Sequence, residues 1–258
     1  MPRSHEPSLA YLGHATVRLD LGGVRLLTDP LLRERIGPLL RQGPPLDAEA
    51  WAGTDLVLLS HLHRDHLDLG SLRLLRPKPR IVVPRGAAAL LRDHGYADVV
   101  ELEPGGSIEA GGVTITATEA SHSGFRPPFG PTAEAVGYVV DSGSRRVYFA
   151  GDTDLFAGME VLAERDLDVA LLPVWGWGPT LGPGHLDPAR AATAAGWLRP
   201  RTVVPIHWGT FWPRGLGRIR PHRLVGPALE FRDRAEVAAP ESHVAATAPG
   251  DSVSLRRR

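Results

Sequence analysis

The sequence predicts an α/β fold, and three observations favour this class. Short apolar runs with a strand pattern alternate with helix-like segments in the first third of the chain and again in the last third. The middle of the chain is instead a series of short strands joined by Gly-rich turns. The length of 258 residues suits one large α/β domain or two small ones.

The first third begins as a meander, in which Gly22-Gly23 turns the chain between two alternating runs. Residues 31–46 contain two Gly-Pro steps, which favours a loop or lid over a helix. We predict short helices at 47–54, 69–75 and 85–94. The predicted strands are 9–12, 16–20, 24–28, 55–59 and 80–84.

The middle and last thirds are assigned by the same rules. Helix 188–198 is the best specified, because Asp187 can cap its N-terminus, Pro188 suits its first position and Pro200 follows its end. The predicted strands are 99–102, 107–109, 113–117, 136–141, 146–150, 169–173, 202–206 and 252–255.

Composition excludes several classes of protein. Lys plus Arg and Asp plus Glu are equal at 29 each, so we expect no nucleic-acid surface. Cysteine is absent, which excludes disulfides and leaves His and carboxylate as the strong metal ligands. No apolar run approaches the ~20 residues of a membrane-spanning helix, and residues 1–7 lack a signal-peptide core. We therefore expect a cytoplasmic protein.

The motif His61-Leu62-His63-Arg64-Asp65-His66 directly follows the apolar run at 55–59. Residues two apart in extended chain point the same way, so His61 and His63 can bind one metal ion. The chain then turns and offers Asp65 and His66 to a second ion. This pattern predicts a binuclear metal site.

Three further candidates stand where apolar runs stop, as His61 does. They are His122, Asp152 and His207. Loops at one rim of packed sheets are a usual place for a functional site. We therefore expect these residues to meet at a single site.

The order of these residues resembles that of the metallo-β-lactamase superfamily. Four more motifs are similar to its branch containing L-ascorbate-6-phosphate lactonase and N-acyl-phosphatidylethanolamine phospholipase D, and they lie at 13–16, 27–30, 182–188 and 205–211. The resemblance covers residues 11–211. It implies a four-layer αβ/βα sandwich, with helices on the outer faces of two mixed sheets, and a single domain over residues 1–258.

The resemblance also implies a ligand set, with zinc as the expected metal and manganese as the alternative. One ion would bind His61, His63 and His122, the other would bind Asp65, His66 and His207, and Asp152 would bridge them. Two ions roughly 3.5–4 Å apart can share a water and hold hydroxide ready for attack. Asp65 could be a ligand, a general base or both.

The expected activity is hydrolysis of a small lactone or phosphorylated metabolite. The alternative is a phosphodiesterase of the phospholipase D type, acting on a lipid or nucleotide diester. A non-catalytic module should have lost metal ligands, and none is lost here. We expect a small-molecule substrate in either case.

His185 competes with His207 for the last ligand position, and strand-end placement favours His207. His185 lies ahead of a helix, where it could donate to an oxyanion or a phosphate oxygen, or could simply bond backbone in its loop. His14 could support the site or pack in the core. Asp29 is interpreted either as a structural residue or as a residue that supports the ligands from behind. Trp175 and Trp177 are interpreted either as a wall of the substrate cleft or as part of the core.

Overall fold

The computed structural model describes residues 6–43, 45–176, 182–214, 222–253 and 255. Within these residues, two seven-stranded mixed sheets enclose a shared apolar core. The first sheet has the order β17-β1-β2-β3-β6-β7-β8, and its strands from β3 to β8 run parallel. Its strands are β1 (Ser8–Gly13), β2 (Thr16–Leu21), β3 (Val24–Thr28), β6 (Leu56–Leu58), β7 (Arg80–Pro84), β8 (Val99–Leu102) and β17 (Ser252–Val253).

The second sheet has the order β16-β14-β13-β12-β11-β10-β9. It is antiparallel from β9 to β12 and parallel from β12 to β16. Its strands are β9 (Ser107–Ala110), β10 (Val113–Glu119), β11 (Val136–Asp141), β12 (Arg146–Phe149), β13 (Val169–Pro173), β14 (Thr202–Ile206) and β16 (His243–Val244).

Successive side chains of the first sheet point to its two opposite faces. In β6, Leu56 and Leu58 join the core between the sheets, whereas Val57 joins a second core on the outer face. That second core includes Leu72 of α1 (Leu69–Leu72) and Leu91 of α2 (Ala88–Asp93).

The second sheet is covered by α3 (Pro188–Leu198), which packs on β13 and is itself covered by α4 (His222–Ala238). The predicted four-layer sandwich is therefore confirmed. Asp187 caps α3 as predicted, accepting a hydrogen bond from the backbone N–H of Arg190 at 2.8 Å. None of the helices in the described ranges is long and apolar enough to cross a membrane.

The segment at 31–46 contains no helix among its described residues, as predicted, but it is more ordered than a plain loop. Its strands β4 (Arg35–Ile36) and β5 (Leu39–Arg41) form a hairpin, and β5 pairs with β15 (Phe211–Pro213). The Arg41 guanidinium anchors the hairpin by donating to the carbonyl oxygens of Leu12 and Leu31. The hairpin thus adds a small sheet next to the chain that follows β14.

Several predicted bounds differ from those of the structure, and one long helix was not predicted. Residues 47–54 form only a single 3-10 turn, Ala48–Ala50, and the strand at 252–255 is described only as Ser252–Val253. Helix α4 was missed, although Leu224, Ala228, Phe231 and Ala235 follow helical spacing and are buried. Pro227 lies inside it, and an internal proline argues against a helix in sequence.

Deleting residues 36–39, which form the turn of the hairpin, is expected to change substrate preference without changing metal content. The deletion spares the Arg41 anchor and every predicted ligand, while it removes part of the segment that the sequence predicts to be a lid. The measurement is kcat/KM across a substrate panel, alongside the metal content of both proteins. An unchanged ranking of substrates would show that the hairpin does not contribute to the cleft.

Candidate metal centre

The loop after β6 and the loop after β10 bring three histidines together. His61 Nε2 lies 2.9 Å from His63 Nδ1, and His122 Nε2 lies 3.1 Å from the same His63 atom. His61 is buried, and the other two are partly buried. Three imidazole nitrogens that face a common point can bind one divalent ion.

A second group forms beside the first. The ligand atoms of His14, Asp65, His66 and His207 all lie within 4.8 Å of one another. Asp65 Oδ2 is 3.6 Å from both His66 Nε2 and His207 Nε2. The structure thus brings together the three residues expected around the second ion, and it adds His14 to them.

Asp152 lies between these two groups. Its Oδ2 is 3.3 Å from His66 Nε2 and 3.5 Å from His207 Nε2, and it also clusters with His122 and His185. The side chain is almost fully buried, and Oδ1 has no hydrogen-bond partner among the described residues. A buried carboxylate oxygen without a partner is costly in a folded chain, and a bound cation would satisfy it.

Asp29 holds ligands of both groups from behind. Its Oδ2 accepts a hydrogen bond from His66 Nδ1 at 2.6 Å and another from Ser60 Oγ at 2.5 Å. Ser60 Oγ in turn lies 2.9 Å from His61 Nδ1. A hydrogen bond to the rear nitrogen fixes the tautomer and orientation of a ligating imidazole. This agrees with the interpretation of Asp29 as a residue behind the ligands.

Electrostatics favour ionised carboxylates at the centre. Burial alone would raise the pKa of Asp152, but His207 and His66 beside it hold that pKa well below its usual range. Burial opposes a charge on His66, yet Asp152, Asp65 and Asp29 raise its pKa well above the usual value. In the metal-free chain a proton on His66 therefore offsets these carboxylates, and a divalent ion would have to displace it.

Two other histidines have lowered rather than raised pKa values, and burial is the main cause. It lowers the pKa of His14 to about 3 and that of His122 to about 4. Both rings are therefore neutral near neutral pH. A neutral imidazole is the form that binds a metal ion or donates a single ring N–H.

His185 lies at the edge of the centre. Its Nε2 is 3.7 Å from Asp152 Oδ2, its Nδ1 is 3.2 Å from the carbonyl oxygen of Gly182, and its side chain is 27% exposed. His207, by contrast, is buried between Asp65 and Asp152. The structure thus places His207 in the second group and His185 at the edge of the centre, beside Asp152 and His122.

Three tryptophans lie in the chain that follows β13 and β14. Trp175 is partly buried, and its ring centroid lies 5.2 Å from that of the buried Trp212. Trp208 is also buried and donates from Nε1 to the carbonyl oxygen of Pro205. Trp177, which was interpreted with Trp175 as a cleft wall, lies outside the described residues.

Sequence reasoning missed one residue that shapes the metal loop. The buried Arg126 donates from Nη1 to the carbonyl oxygens of Leu62 and Leu67, which bracket three of the predicted ligands. The contact spans about sixty positions, and no local pattern marks it.

The backbone of the site is also unusual. His14, Asp29 and His207 have φ values of 56°, 31° and 64°, in or near the left-handed region. Non-glycine residues rarely adopt this conformation, and it persists where surrounding structure enforces it. These three residues are therefore held in place by their contacts.

Comparison with known proteins gives concordant matches. A family model described as "Beta-lactamase superfamily domain" matches residues 24–208. A metal-dependent hydrolase of Thermus thermophilus is 35% identical over 245 residues, covering 95% of this chain and 97% of the relative. One from Deinococcus radiodurans is 32% identical over 248 residues, with coverages of 95% and 97%. The structure of a metallo hydrolase from Ignicoccus hospitalis aligns with a TM-score of 0.71 at 26% identity, covering 96% of this chain and 97% of that one.

Proposed function

The chain belongs to the metallo-β-lactamase superfamily, and we propose that it is a binuclear hydrolase of a small lactone or phosphorylated metabolite. The observation that carries the proposal is the position of Asp152 between two separate groups of ligand candidates. We further propose that residues 1–258 act as one domain, because both sheets contribute residues to the centre.

The donor atoms fit two divalent ions. His61, His63 and His122 would hold one, Asp65, His66 and His207 would hold the other, and Asp152 would contact both. All of these donors are nitrogen or oxygen, which suits zinc and also manganese. Zinc is the metal that we propose. The buried Asp152 Oδ1 and His66 Nε2 lack a hydrogen-bond partner of good geometry within the described part of the chain, which further supports a cation there.

Two such ions, when bound, lower the pKa of water and stabilise negative charge on a leaving oxygen. The chain itself orients the ligands through Asp29 and Ser60. Burial alone would raise the pKa of Asp65, but the charge of His66 and hydrogen bonds from His14 and His207 hold it well below its usual range. An ionised carboxylate is the form that binds a metal ion. We therefore propose Asp65 as a ligand of the second ion.

The substrate class is proposed from the motifs at 13–16, 27–30, 182–188 and 205–211, which are similar to the lactonase and phospholipase D branch. Between these two, the lactone or phosphorylated metabolite is preferred, because a lipid substrate calls for a marked docking surface that the sequence does not display.

The test is hydrolysis of simple lactones, phosphomonoesters and phosphodiesters by protein as purified, after chelation, and after addition of Zn²⁺ or Mn²⁺. We expect turnover of a lactone or monoester that chelation abolishes and metal restores. His94→Ala, which changes an exposed histidine that caps the C-terminus of α2, is the matched control and should behave as wild type. Turnover confined to phosphodiesters would replace the proposed substrate class. Turnover that survives complete metal removal would overturn the mechanism.

A further inference from the structure

His14 contacts the centre although it lies outside the ligand set and outside the matched range 24–208. It is 1% exposed, and its Nε2 lies 3.1 Å from Asp65 Oδ2. An ionised carboxylate can only accept hydrogen bonds, so His14 Nε2–H is the donor. The two residues are 51 positions apart, and the contact joins the β1–β2 turn to the metal loop.

The backbone of His14 is fixed on both sides by the segment that follows β14. Its N–H donates to Thr210 Oγ1 at 2.6 Å, and its carbonyl oxygen accepts from the His207 N–H at 2.7 Å. The ring of His14 lies 3.9 Å from the ring of His207, measured between centroids. Through these contacts His14 touches two of the residues assigned to the second ion.

The preceding Gly13 makes this approach possible. A Cβ at position 13 would lie 2.8 Å from Thr210 Oγ1 and Cγ2, and the residue has φ of 109°. Both the close contact and the backbone conformation require glycine there. Glycine at position 13 therefore allows the His14 ring to lie against Asp65 and His207.

We propose that His14 is a positioning residue for the second ion: it holds the Asp65 carboxylate, and it supports His207 through ring and backbone contacts. This inference rests on the proposed binuclear centre. A hydrogen-bond donor to a ligating carboxylate keeps that ligand oriented before the metal arrives, and losing such a partner typically weakens metal affinity roughly 10–100-fold. A histidine that only filled the core could be replaced by another ring without this effect.

The experiment titrates metal-free wild type, His14→Phe and His14→Gln with Co²⁺ and Zn²⁺. Phenylalanine keeps a ring against His207 but removes the donor, whereas glutamine keeps an N–H donor. Both replacements bear the same left-handed backbone cost, so they are matched controls for each other. The readouts are the affinity of each metal equivalent and the visible spectrum of the cobalt protein.

In His14→Phe we expect the second equivalent to bind roughly 10–100-fold more weakly, with the first unchanged and the cobalt spectrum altered. His14→Gln should restore most of the affinity. Wild-type affinity and spectrum in His14→Phe would overturn the inference. Complete loss of the second ion in both variants would also overturn it, because His14 would then be a direct ligand.

Should His14→Phe fail to fold, Thr210→Val provides a second route. Valine has nearly the shape of threonine but removes the Oγ1 acceptor that fixes the His14 N–H. We expect the same selective weakening of the second equivalent, and unchanged binding would count against the inference. A wild type that binds fewer than two ions would instead refute the proposed centre, so the two failures are distinguishable.

Discussion

Asp152→Ala is expected to deplete both metal ions and to lower turnover by more than the roughly 100-fold typical for losing a group that only orients a ligand. Asp152 lies within reach of both ligand groups, through His66 and His207 on one side and His122 on the other. Its removal also takes one buried negative charge from the centre, which weakens the electrostatic attraction for a cation. Both effects weaken the binding of divalent ions.

Metal content by mass spectrometry, measured after dialysis against metal-free buffer, checks this result. Asp154→Ala is the matched control, because it removes the same charge two residues later in the same loop, where Asp154 pairs with Arg190. The control should keep both ions. Two ions retained in Asp152→Ala would refute the bridging role.

His185→Ala is expected to keep both ions while lowering turnover by roughly 10²–10³, as for removal of one oxyanion donor. His185 Nε2 lies near Asp152 at the edge of the centre, and its side chain is 27% exposed. It can donate to a substrate oxygen in the tautomer or protonated form that carries Nε2–H. The residue lies just ahead of the N-terminus of α3, whose dipole favours an anion nearby.

His185→Gln keeps a donor and should recover part of the lost turnover, and His94→Ala controls for loss of a histidine elsewhere. Loss of one metal equivalent in His185→Ala would show that His185 and His207 must be exchanged. Full metal with unchanged turnover would mean that His185 only bonds its own loop, where Nδ1 already lies 3.2 Å from the Gly182 carbonyl oxygen.

The parts of the fold that were predicted correctly are those with strong local signals. Strand β7 and helix α3 have the predicted bounds, because apolar alternation, an Asp cap and flanking prolines are all local. Helix α4 was not predicted because Pro227 interrupts its helical pattern. The small sheet of β4, β5 and β15 was not predicted because β15 lies about 170 positions from β5 and no local pattern encodes that pairing.

The same division holds at the metal centre. The candidate ligands stand next to apolar strands, so the pattern itself marks them. The contacts that orient them do not: Asp29 meets His66 across 37 positions, and Arg126 meets Leu62 across 64. These pairs are created by the closing of the two sheets on each other. Sequence therefore indicated which residues could bind metal, while the structure was needed to see what holds them.

The most direct test of the binuclear centre is an anomalous difference map from crystals of the metal-loaded protein, recorded at the absorption edge of zinc. We expect two peaks, one bounded by His61, His63 and His122 and the other by Asp65, His66 and His207, with Asp152 touching both. A single peak, or a second peak ligated by His185 in place of His207, would contradict this account.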